Sequence, residues 1–163
     1  MIRKLLAVVS LLLLSGGIAF GQGIPKKGTV KGTFAWYAVG KIHEVEPAHI
    51  VFTGEFGGVF LSEPAGGVLD RAAVTCPGLN DVYLDGRESQ AVGVCVITDK
   101  DGDKIFVSWN NRGAPLVRPN GDSRWTGGTG KYAGIKATGR FDTTVLAPTN
   151  SGFSIWNMPY ELP

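Results

Sequence analysis

The chain has 163 residues, with 16 Lys and Arg against 14 Asp and Glu, 44% apolar residues, 24 Gly and two Cys. A balance so close to neutral leaves no electrostatic footprint for nucleic acid, and the apolar fraction is too high for a disordered chain. The length suits one domain with its own core, not several.

The first 21 residues read as a leader. Arg3 and Lys4 precede an apolar run over 5–14, followed by small residues and a cut after Ala19 or Gly21. That is the layout of a secretory signal peptide, and the apolar run is too short to span a bilayer. The expectation is therefore one mature domain over 22–163, secreted or periplasmic, with no stable membrane anchor. No Cys stands near the leader's end to carry a lipid.

Beyond the leader no helical apolar period is sustained, whereas runs with a period of two recur between Gly, Pro, Asn and Asp clusters. TVKGTFAWYAV places Val30, Gly32, Phe34, Trp36 and Ala38 on one face. HIVFTGEF sets Ile50, Phe52 and Phe56 opposite Thr53 and Glu55. Further strands are predicted over 69–76, 91–98, 104–110, near Arg124, over 135–145 and over 152–160. AVGVCVIT is apolar on both faces, which places it in the middle of a sheet. About eight short strands predict an all-β fold, a single antiparallel and roughly eight-stranded β-barrel, since closure also removes exposed edges. Gly32, Gly54, Gly93 and Gly139 fall inside strand patterns, where Gly marks a bulge or a tight corner.

KIHEVEPAH gathers His43, Glu44, Glu46 and His49, the residue types of a transition-metal site. It lacks a recognised ligand spacing, and a solvated loop is the plainer reading. TDKDGDK alternates Asp99, Asp101 and Asp103 around Gly102 like the start of a calcium loop. The bidentate Glu that such a loop needs is absent, and Asp-Gly between apolar runs signals a hairpin turn. GGTGKYAG resembles a phosphate loop but has Trp125 and Tyr132 where a Gly and a Ser or Thr are required. It reads as a chain reversal anchored by Tyr132, with Lys131 exposed. Cys76 and Cys95 are expected to form a disulfide after export, the alternatives being a metal pair or a catalytic thiol. No metal and no cofactor is expected.

GVCVITDKDGDKIFVSW and WTGGTGKYAGIKATGRF resemble segments of small secreted bacterial proteins of the allene-oxide-cyclase and dirigent-like β-barrel group. The resemblance is most specific from Val92 to Phe141. It implies an eight-stranded antiparallel barrel behind a signal peptide, and it carries over no catalytic position.

The first functional expectation is a non-catalytic exported barrel that binds a small apolar or amphiphilic molecule, with Trp36, Phe52, Trp109 and Tyr132 as candidate cavity residues. The second is a cyclase- or isomerase-like enzyme, which needs a charged side chain pointing inward; Glu55, Glu44 and Arg140 are its candidates. The third is an envelope or host-facing interaction protein with an apolar patch outside the barrel. Oligomeric state is not legible.

Overall fold

The computed structural model describes residues 23–146 and 149–163, and the leader expected over 1–21 lies outside them. Eight antiparallel strands follow one another around a closed barrel: β1 (Lys27–Glu46), β2 (His49–Ser62), β3 (Ala72–Tyr83), β4 (Ser89–Thr98), β5 (Lys104–Gly113), β6 (Val117–Gly128), β7 (Lys136–Leu146) and β8 (Ser151–Glu161). Each pairs with its chain neighbours, and β8 closes on β1 from Lys27↔Glu161 to Tyr37↔Ser151. A single turn of 3₁₀ helix, Gly130–Tyr132, joins β6 to β7. This is the all-β antiparallel barrel that the strand pattern predicts.

The period of two decides which side chains enter the barrel. On β1, Val30, Phe34, Trp36 and Ala38 are buried, while Lys31 and Tyr37 face solvent. The end that carries the β2–β3, β4–β5 and β6–β7 connections is solid. Phe60, Val74, Ile97, Ile105, Trp125, Tyr132, Ile135 and Met158 are almost completely buried there. Each such side chain stabilises the fold by roughly 1.5–3 kcal/mol relative to its exposed state. The other end, where β1–β2, β3–β4, β5–β6 and β7–β8 turn, stays open.

Three elements differ from the sequence expectation. β3 begins at Ala72 and runs to Tyr83, through a CPGLNDVY stretch that reads as turn chemistry. Its ladder to β4 keeps one register on both sides of Cys76 and Pro77, from Thr75↔Val96 to Gly78↔Gly93. Pro77 has no N–H to give to that ladder, and the Cys76–Cys95 disulfide crosses there. The KIHEVE run is not a loop: β1 continues to Glu46, and Pro47–Ala48 turns it back onto β2 with Glu46 opposite His49. β4 has a neighbour on each side, yet Val92 and Val94 remain about half exposed, because the outer wall of a closed barrel faces water.

Candidate ligand cavity

The open half of the barrel holds a cavity of about 70 Å³, taken as the space open to water centres. One water needs roughly 10–15 Å³ by that measure, so this half is hollow. Four strands supply an aromatic ring around it. Trp36 meets Phe56 edge-on at 5.3 Å, Phe56 meets Trp109 at 6.0 Å, and Trp109 meets Phe141 at 6.3 Å, with interplanar angles of 84°, 80° and 84°. Edge-to-face contacts of this kind suit the ring quadrupoles and hold the rings upright instead of collapsing them into the space.

Trp109 keeps its place because two glycines make room for it. Gly78 and Gly93 are cross-strand partners on β3 and β4. A Cβ on Gly93 would lie 2.5 Å from Cζ2 of Trp109, and one on Gly78 would lie 2.8 Å from it. The indole lies flush on the wall beside the Cys76–Cys95 disulfide, which also lines the cavity. The glycine noted within the strand pattern at 93 thus serves a close approach.

Polar groups punctuate this apolar wall. Trp36 donates from Nε1 to Ser154 Oγ at 3.3 Å, and Ser154 Oγ lies 2.9 Å from Thr143 Oγ1. Arg118, the second residue of β6, is 3% exposed. It donates to Asn80 Oδ1 at 2.6 Å, and Asn80 belongs to β3. Because β4 and β5 stand between those strands, the bond spans the lumen. Burial lowers the pKa of Arg118 from its ordinary value. Asn111 donates from Nδ2 to the Arg118 carbonyl at 3.0 Å. Two buried polar atoms of lining residues, Asn111 Oδ1 and Trp109 Nε1, have no hydrogen-bond partner.

Of the four residues named from sequence, Trp36 and Trp109 line the cavity. Phe52 does not line it; half-buried, it packs behind Phe56 at 5.5 Å. Tyr132 lies at the sealed end, where its hydroxyl donates to Asp99 Oδ2 at 3.0 Å. Glu44, Glu55 and Arg140 are exposed on the outside, so none supplies an inward charge. The inward charge is Arg118. Its neighbourhood, VRPNGD, reads as a turn, and no local signal marks it, since its inward aim depends on a register shift against β7 between Arg118 and Gly121.

The other candidate motifs also find their places. His43 is exposed, whereas His49 bonds to Asp81 at 2.6 Å and stacks on Tyr83 at 4.1 Å. Among the described residues no group of three or more His, Cys, Asp or Glu side chains is arranged for a metal ion. Lys131 is not free as expected: its ammonium pairs with Asp99, with Asp101 at 2.6 Å and with Asp103 at 3.7 Å.

No family model matches the chain, and no curated protein does. Among solved structures it is similar to a pterocarpan synthase dirigent protein, with a TM-score of 0.51 and 14% identity over 85% of this chain and 91% of that one. At that identity the likeness establishes a shared dirigent-like β-barrel fold.

Proposed function

We propose that this is an exported binding protein that holds one small, largely apolar molecule in the open half of its barrel without transforming it. The observation that carries this reading is the hollow end itself: an upright ring of Trp36, Phe56, Trp109 and Phe141 around unfilled space, above a fully packed plug. Small-ligand sites are mostly apolar concavities with a few placed polar groups. Among the described residues the lining is aromatic, aliphatic, amide and hydroxyl, with Arg118 its one charged side chain and a disulfide in place of free thiols. This chemistry suits retention better than proton transfer. The disulfide agrees with an oxidising compartment, and export follows from the basic-then-apolar leader.

Titration with p-cresol tests the reading, because three tryptophans line the cavity. Saturable shifts of the Trp36, Trp109 and Trp156 indole resonances are expected, with Trp125 in the plug unmoved. Absence of any saturable shift rejects the binding reading. Cell fractionation with N-terminal sequencing tests export; an unprocessed cytosolic chain rejects it.

A further inference from the structure

The mouth of the cavity holds a buried cation, Arg118, with no carboxylate partner among the described residues. Arg118 donates from Nε to the Ala114 carbonyl at 3.2 Å, from Nη1 to Asn80 Oδ1 at 2.6 Å and from Nη2 to the Pro115 carbonyl at 3.3 Å. All three acceptors are neutral, and no carboxylate of the described residues lies within ion-pair distance of the guanidinium. A guanidinium has five N–H groups, so one hydrogen on each Nη has no acceptor among the described residues. Arg87 shows the contrast. It sits on the exposed rim, paired with Asp85 at 2.9 Å and Glu46 at 3.0 Å. An unpaired buried charge is costly to keep, by several kcal/mol, and Arg118 is kept in the wall of the aromatic cavity.

We propose that Arg118 is the anchor of a carboxylate subsite, and that the molecule held in this barrel is a small aromatic acid. Its ring lies among Trp36, Phe56, Trp109 and Phe141, and its carboxylate accepts the two remaining guanidinium hydrogens. This rests on the cavity-binding reading above and adds the charge and class of the ligand. Planar carboxylates match the guanidinium fork, and charge-assisted bonds of this kind are the strong ones. Two more lining atoms are left for the ligand: Trp109 Nε1 offers a hydrogen, and Asn111 Oδ1 accepts one. A hydroxyl on the acid satisfies Asn111. Amines of the same shape are excluded, since the guanidinium repels them.

The test compares phenylacetate with its neutral isostere phenylacetamide, and with acetate and phenethylamine, by calorimetry and indole NMR on the wild-type protein. Phenylacetate is expected to bind at least about tenfold tighter than phenylacetamide, acetate more weakly than phenylacetate, and phenethylamine not at all. In Arg118→Met the preference for phenylacetate over phenylacetamide disappears. Equal affinities of the acid and the amide for the wild type overturn the proposal whether or not the variant folds. Acetate binding as tightly as phenylacetate also overturns it, since the site is then a general anion site. In both cases p-cresol still binds and the cavity reading stands. Failure of p-cresol together with every acid removes both.

Discussion

The Tyr132 hydroxyl donates to Asp99 Oδ2 at 3.0 Å, at the barrel end opposite the cavity. The contact locks the β6–β7 reversal onto the β4–β5 turn. Asp99 Oδ1 meanwhile accepts from the backbone N–H groups of Asp101 at 2.8 Å and Asp103 at 3.0 Å. Lys131 lies among all three carboxylates, so the Asp-rich turn that imitates a calcium loop carries its cation on the neighbouring connection. This end of the barrel is closed by packed side chains and by the polar cluster, and the cavity lies at the other end.

Truncating that link separates packing from hydrogen bonding. Tyr132 is buried, so Tyr132→Ala is expected to cost on the order of 3–5 kcal/mol. Tyr132→Phe keeps the ring and removes one bond to a carboxylate, for roughly 1.5–3 kcal/mol. Urea melts of the two variants check the order. Equal losses would mean that the hydroxyl alone holds the turn.

Lys131 should behave unlike an exposed lysine. Its loss leaves Asp99, Asp101 and Asp103 facing one another, and Lys131→Met is expected to destabilise by about 1 kcal/mol or more. Lys41→Met on the exposed hairpin stays within about 0.5 kcal/mol. Denaturant midpoints for both decide it. Gly130→Val belongs to the same corner: Gly130 has φ +51°, and a Cβ there overlaps the Asp103 carboxylate, so the variant is expected to lose several-fold more than Lys131→Met.

The same cluster fixes the pH profile. Burial by itself raises the pKa of Asp99, but bonds from Lys131, the Asp101 backbone and Tyr132 outweigh it, and the net effect is a lowered value. Asp101 is held at about 2, by Lys100 first and then by Lys131. Carboxyls with depressed folded values lend stability that is present above their unfolded pKa, near 3.9, and is lost as the pH falls through the folded one. Stability should therefore decline between about pH 4 and pH 2. At the alkaline limit the signs reverse. Tyr132 is raised by burial and then by Asp99. Lys131 is raised by Asp101 and Asp99 against an opposing and larger single effect of burial. Their contributions are complete below the unfolded values near 10 and fade as the pH rises beyond. Thermal melts from pH 2 to 12 check both limbs, and Lys131→Met should flatten each of them.

The disulfide bridges directly opposed positions where Pro77 leaves the β3–β4 ladder short of a donor. Native protein is expected to show no alkylatable thiol, and Cys76→Ala/Cys95→Ala to lose about 3 kcal/mol, from a loop with sequence separation 19. Thiol counts before and after unfolding, with urea melts of the double variant, measure both. The loss should come with weaker binding of p-cresol, because the bridge forms part of the cavity wall.

How much of this was legible depended on whether a signal is local. Alternation along TVKGTFAWYAV gave the inward face of β1 residue by residue, and eight such runs gave the barrel. Turn chemistry misled where pairing overrode it: CPGLNDVY continues as β3 because β2 pairs with it from Phe60↔Ala72 to His49↔Tyr83. His49 reads as loop for the same reason, its partner Asp81 being 32 positions away. Trp36 and Trp109 were named with Phe52 and Tyr132 only as aromatic residues of the strands and the turn, and which end of the barrel each occupies depends on pairing that is not local. Arg118 was the least visible. Its burial follows from a register shift and from acceptors on β3 and on the β5–β6 turn, and no window of sequence holds all of them.

Gly78 and Gly93 lie directly behind Trp109. Gly93→Ala places a methyl 2.5 Å from the indole Cζ2, a separation that real side chains do not tolerate. Either the strand gives way or the indole swings off the wall into the cavity. Overpacking of this kind costs roughly 1–3 kcal/mol, which leaves a barrel with a sealed end folded. The indole then occupies the space the ligand needs, so p-cresol affinity should fall by more than tenfold while the fold survives. Gly57→Ala on β2 is the control, because its Cβ meets only Glu55 Oε1, at 3.8 Å, and both stability and binding should be unchanged. Near-ultraviolet circular dichroism reports the displaced indole, and titration reports the blocked chamber. Unaltered binding in a folded Gly93→Ala protein would show that the ligand does not use the space in front of Trp109.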